Sequence, residues 1–180
     1  MSDNTKFKDY FDSTLATLLA TDISAVYPEF NSDAFVERVY NEVGSLELKD
    51  RVAAIAAALR TFLPDDYPTA LQILLSTLGD ELQKEEGMFE QGYHLMPVAY
   101  FVEVYGLDHV EQSVPALYKI TKRFSSEFAV RPYLEQDTDA MLKILEKWAT
   151  DDNPHVRRLV SDGTRTRLPW ATRLTIFIED

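Results

Sequence analysis

Apolar side chains recur along this chain with the period of a helix. Phe11, Leu15, Leu18 and Leu19 stand at i, i+4, i+7 and i+8, the spacing that gathers residues on one helical face. Phe35, Val39 and Val43 repeat every four residues behind Ser32, a residue type suited to cap a helix N-terminus. LELKDRVAAIAAALRTFLP (46–64) sets Val52, Ile55, Leu59 and Phe62 on one side and is stopped by Pro64, which cannot continue a helix. YPTALQILLSTL (67–78) carries Pro68 in its first turn and ends at Gly79, the usual asymmetry of the two residues. Then the period fails. GDELQKEEGMFEQGYHLMP (79–97) holds three of the six glycines and no sustained apolar stripe, which predicts the longest irregular connection of the chain. Helices are predicted again over 98–106, 111–124, 125–136, 137–149 and 153–161, and over a last segment WATRLTIFIE (170–179).

No segment alternates in the manner of a half-buried strand. The predicted fold class is therefore all-α: a HEAT-like α-solenoid of stacked antiparallel helix pairs, in one domain over residues 1–180. A plain helical bundle satisfies the same periodicity. The clearest repeat unit is DTDAMLKILEKWATDDNPHVRRLV (137–160). It reads as an amphipathic helix, a DDNP turn, and a second helix with Asn153 as N-cap and Pro154 in the first helical position.

Charge changes the picture in the last third. The chain carries 30 Asp+Glu against 18 Lys+Arg, a net charge of -12, and its pI is near 4.6. Such a balance disfavours non-specific attachment to DNA or anionic lipid. Residues 1–118 hold 7 Lys+Arg and 20 Asp+Glu, whereas residues 119–180 hold 11 and 10, so the whole excess is confined to the first two thirds. Cysteine is absent, which removes disulfides and thiol catalysis and suits a reducing, cytoplasmic location. No run of 18 apolar residues offers a membrane span. The three histidines are far apart and no HExxH, Gly-rich phosphate loop or GxSxG is present, so neither metal nor cofactor is expected.

NPHVRRLVSDGTRTRLPWATRL (153–174) gathers Arg157, Arg158, Arg165, Arg167 and Arg173 around Asp162 and Trp170. On a helix, Val156, Leu159 and Val160 form one apolar face, while His155, Arg158 and Asp162 share another stripe at i, i+3, i+7, turned from the core. Gly163 reads as a left-handed cap closing the helix, and Pro169 as the start of the next one. Guanidinium groups suit phosphate oxygens and stacked bases. An exposed Arg158–Asp162 pair is also a routine surface contact. A second constellation lies in KRFSSEFAVRPYL (122–134), where Ser125 and Ser126 cap a short helix with Glu127 in its first turn and Pro132 is expected to disrupt it.

TKRFSSEFAVRPYLEQD (121–137) and WATDDNPHVRRLVSDGTRTRLPWATRL (148–174) resemble the AlkC branch of the alkylpurine DNA glycosylases, HEAT-like all-α proteins related to the AlkD branch. Weaker similarity runs upstream through most of the chain. The resemblance implies removal of N3- or N7-alkylated purines, chiefly 3-methyladenine, from damaged double-stranded DNA. It implies Glu127 and Asp162 as the catalytic carboxylates and Arg158, Arg165 and Trp170 as DNA-facing residues, with His155, Arg167 and Arg131 as neighbours. Asp162 and Thr166 stand where the family usually has Glu and Pro. The family also continues through further repeats, so the chain is expected to lack the C-terminal ones. Leu174, Phe177 and Ile178 would then form an uncovered helical stripe through which copies self-associate. A non-catalytic HEAT-like module binding protein or DNA is the alternative.

Overall fold

A computed structural model of the chain describes residues 6–82 and 91–178. Among the described residues there are nine α-helices and no strand, so the all-α fold class stands. The chain divides into two compact units, 1–77 and 78–180.

The first unit holds α1 (Ser13–Val26), α2 (Ser32–Val43), α3 (Leu48–Phe62) and α4 (Tyr67–Leu75). The Asp12 carboxylate accepts from the backbone N–H of Thr14 and Leu15 to start α1. Asp66 does the same for Thr69 at the start of α4, with Pro68 in the first turn, where a missing N–H costs nothing. Asn31, one residue ahead of the expected Ser32, caps α2 by accepting from Ala34 N. The periodic stripes are buried: Leu15, Leu19 and Ile23 on α1, Phe35 and Val39 on α2. Leu18, counted in the same stripe, is instead 44% exposed. Consecutive helices pack together, α1 on α2 and α2 on α3. Buried Arg51 donates to the carbonyls of Leu46, Lys8 and Gly44.

The second unit holds α5 (Met96–Tyr105), α6 (Val110–Thr121), α7 (Arg131–Gln136), α8 (Thr138–Trp148) and α9 (Pro154–Gly163). Helix α5 packs on α6, α8 on both α7 and α9, and α9 on α6. The core here includes Phe101, Leu117, Ile120, Tyr133, Leu145 and Leu159. Of the irregular connection expected over 79–97, residues 83–90 lie outside the described residues, and the described remainder already carries a 3-10 turn at Tyr93–Leu95. Its described end turns into helix two residues earlier than expected, at Met96.

Two expectations in this unit are overturned. Pro132 does not disrupt a helix over 125–136: residues 127–130 form a turn and α7 begins only at Arg131. Pro132 thus falls in a first turn, where its missing N–H has no intrahelical partner to lose. The helix expected over 170–179 is also absent from the described part. Trp170 takes a left-handed φ of 67°, which a right-handed helix excludes, and only a 3-10 turn forms at Thr175–Phe177. Leu174 is fully buried and its N–H donates to the Thr166 carbonyl at 3.1 Å. Phe177 is half-buried, whereas Ile176 and Ile178 are exposed. The stripe of Leu174, Phe177 and Ile178 expected to carry self-association is therefore not formed. No helix among the described residues is long and apolar enough to cross a membrane.

Candidate active site

The site is built on the end of α9. Asn153 accepts from His155 N at 2.9 Å and donates through Nδ2 to the Leu82 carbonyl at 3.1 Å. It therefore caps α9, with Pro154 as the first helical residue, and ties that end to a second segment. Arg157 folds back onto the DDNP turn, donating to the carbonyls of Asp151 and Asp152 at 2.6 and 3.0 Å. Val156 and Leu159 fill the core, which leaves Arg158 and Asp162 on the outward side.

Asp162 is gripped on both oxygens. Arg158 Nε donates to Oδ2 at 3.1 Å, and Arg165 Nη2 lies 3.3 Å from Oδ1. The carboxylate is 14% exposed, its two guanidinium partners 42% and 58%. A sheltered acid under two wet arginines keeps spare N–H donors pointing outward, since each guanidinium has five. Among the described residues no group of three or more His, Cys, Asp or Glu is arranged to hold a metal ion.

Gly163 lets the backbone of the turn that carries Glu127 approach the end of α9. It is not a left-handed cap: it is the last residue of α9, and Thr164 follows in right-handed conformation. Its role is close approach. A Cβ there would lie 2.8 Å from Val130 Cγ1, 3.7 Å from the Glu127 carbonyl oxygen and 3.9 Å from Glu127 Cα. The backbone of Glu127 thus abuts the residue next to Asp162, although the two acids are 35 positions apart in sequence. Ser125 shapes the turn, donating its hydroxyl to the Glu127 carboxylate and accepting from Glu127 N. Ser126 is buried, and its hydroxyl donates to the Leu117 carbonyl. These serines therefore organise a turn rather than cap a helix.

Trp170 lies 68% exposed on the loop after α9, and Arg167 is exposed on the same loop. Two of the residues named with them do not face solvent. His155 is 2% exposed, next to the cap that Asn153 ties to the Leu82 carbonyl, so the stripe it was expected to share with Arg158 and Asp162 is broken. Arg131 is 1% exposed and donates to the carbonyls of Thr172, Gly163 and Arg165. Burial lowers its pKa from the ordinary arginine value, with Glu135 acting the other way.

The sequence reading missed a network behind the site. Tyr118 OH donates to Asp151 Oδ2 at 2.7 Å, its ring lies tilted by 41° against that of Trp148, and Lys122 Nζ sits 4.7 Å from the centroid of the Tyr118 ring. Burial alone would raise the Asp151 pKa, but the Asn153 N–H, the Tyr118 hydroxyl and the charges of Lys122 and Arg157 outweigh it and hold the carboxyl below its usual range. The i, i+4 spacing of Tyr118 and Lys122 was the available signal.

Fold and site together define an all-α protein with an arginine-clamped carboxylate at the end of α9, an exposed indole on the loop that follows, and the backbone of a second acid against that helix end. No family model matches the chain. It is 31% identical, with a TM-score of 0.85 over 98% of its length, to the Pseudomonas fluorescens alkylpurine DNA glycosylase AlkC, whose solved structure is bound to DNA containing an abasic site analog. An uncharacterized protein, YhaZ of Bacillus subtilis, is 34% identical over 174 residues, or 96% of this chain. The chain spans about half the length of both, 47% of the former and 46% of the latter. The resemblance to the AlkC branch drawn from the two arginine-rich motifs, and the helical-repeat fold it implied, thus hold along nearly the whole chain.

Proposed function

We propose that the chain acts in DNA repair as a glycosylase that excises N3- or N7-alkylated purines such as 3-methyladenine. The observation that carries the reading is Asp162, held by Arg158 and Arg165, with the backbone of Glu127 against the next residue and Trp170 exposed on the loop that follows. It is supported by likeness to a glycosylase whose structure holds abasic-site DNA.

An alkylated purine already bears positive charge, so it departs with the C1′–N9 electron pair as a neutral base with little acid assistance. The sugar left behind develops oxocarbenium character. A carboxylate near C1′ stabilises that charge and orients water, whose oxygen bonds to C1′ while its proton passes through the carboxylate to solvent. Asp162, held in one orientation by two guanidinium groups, is assigned the charge-stabilising role. Glu127 is the acid left to direct water. Arg158 and Arg165 grip phosphates with their remaining N–H groups, and Trp170 supplies a stacking face.

The test is release of 3-methyladenine from methylated DNA, alongside binding to DNA bearing an abasic-site analog. Asp162→Asn and Glu127→Gln are expected to lower release on the order of a hundredfold or more while leaving the fold intact. Binding by the parent protein without release would favour the non-catalytic DNA-binding module, and neither binding nor release would refute the reading.

A further inference from the structure

Arg131 stands four residues after Glu127, against the end of α9 that carries Asp162. Its planar guanidinium engages three backbone oxygens. Nη1 donates to the Gly163 carbonyl at 3.0 Å and the Arg165 carbonyl at 2.8 Å, while Nε and Nη2 share the Thr172 carbonyl. Those carbonyls bracket the segment 163–172, which contains Arg165, Arg167 and Trp170. Among the described residues no carboxylate lies within ion-pair distance of this side chain. A charge kept from water by carbonyl dipoles and only a distant carboxylate, Glu135, is a poor source of stability. What it supplies is geometry, because a rigid fork can hold oxygens arriving from different directions and an ammonium on a flexible stem cannot.

We propose that Arg131 is the positioning residue of the candidate site, clamping the loop that presents Arg165 and Trp170 against the Glu127 turn. This rests on the reading of that loop as DNA-facing. The clamp also accounts for the loop's conformation. The chain must double back to bring the Thr172 carbonyl onto the same guanidinium as that of Gly163, and Trp170 takes its left-handed φ within that return.

The test uses Arg131→Lys and Arg131→Gln in the full chain. Hydrogen exchange reads the loop through the amides of Ala171 and Leu174, which donate to the Leu168 and Thr166 carbonyls. In Arg131→Lys these amides are expected to exchange on the order of tenfold faster, with the amides of α5 and α6 unchanged. Trp148→Phe leaves Trp170 as the only one of two tryptophans, and its fluorescence anisotropy should fall in the same variant. Binding to abasic-analog DNA should weaken in step. Unchanged loop exchange overturns the proposal. Equal acceleration across the second unit, or failure of both variants to fold, overturns it as well by making Arg131 a support of the whole unit. A loosened loop with undiminished DNA binding overturns the DNA-facing reading and leaves the clamp itself demonstrated.

Discussion

Replacing Gly163 by Ala isolates the contact that sets the end of α9 against the turn carrying Glu127. The new methyl would meet Val130 Cγ1 at 2.8 Å, where carbon atoms in contact settle at roughly 3.5–4.0 Å. Val130 is fully buried and, being β-branched, is stiff about χ1, so the strain passes into the backbone between α9 and the 127–130 turn. Overpacking of this kind costs about 1–3 kcal/mol. Exchanging Gly for Ala in a helix returns up to about 1 kcal/mol. The net expectation is destabilisation of about 1 kcal/mol, or a melting temperature lower by roughly 2–4 °C in a chain of this size.

Val130→Ala removes the obstructing methyl, and in that background the sign reverses. Gly163→Ala should there stabilise by up to about 1 kcal/mol, giving a coupling between the two sites of about 1–3 kcal/mol. Urea unfolding of the four proteins, followed by circular dichroism, measures the cycle. Equal effects of Gly163→Ala in both backgrounds, within about 0.3 kcal/mol, would refute the close-approach argument. Activity adds a second reading: forcing α9 from the turn separates Asp162 from Glu127, so release should fall in the single variant and recover partly in the double.

Three further outcomes are expected. Because Trp170 holds a φ of 67°, Trp170→Gly should be more stable than Trp170→Ala by about 1 kcal/mol, and a thermal melt showing Ala equal or better contradicts the strain; both variants should lose affinity for abasic-site DNA. If Arg158 and Arg165 each contact a phosphate, replacing either by Gln should make the slope of log affinity against log salt shallower by about 0.9, and an unchanged slope removes that arginine from the footprint. Asp151, with its pKa depressed in the folded state, contributes stability that is fully present above the ordinary carboxylate value of about 4 and is lost as pH falls through the lower folded value; Asp151→Asn should therefore cost stability at pH 7 and cost progressively less as the medium is acidified below that ordinary value, as urea midpoints along the series would show.

The parts of the fold legible in the sequence are those governed by neighbours within a turn or two. The i, i+4 apolar spacing of Phe35, Val39 and Val43 works because the same residues that favour a helix also bury its face. The Asn153–Pro154 pair marks the start of α9 because both act on the first turn alone. The arginine-flanked Asp162 was likewise local, its partners lying four residues before and three after. Where the reading failed, a distant contact outweighed a local rule. His155 belongs by periodicity to the exposed stripe of α9, but Leu82, more than 70 positions away, binds the cap beside it. Gly163 has the composition of a left-handed cap, and its actual task is set by Val130 and Glu127.

Trp170 and Arg131 carry the point furthest. A tryptophan with positive φ has no local signature, since its own preferences oppose that conformation. It can persist because carbonyls on both sides of it are held by one guanidinium rooted about forty positions upstream. That same arginine reads in the sequence as a phosphate contact. An array of backbone carbonyls and a phosphate both present several oxygen acceptors, and the guanidinium fork suits either. Composition identifies the acceptor chemistry but not which acceptor is met. Only burial separates them: Arg158 and Arg165 stay open to water, whereas the donors of Arg131 are taken by the carbonyls of Gly163, Arg165 and Thr172.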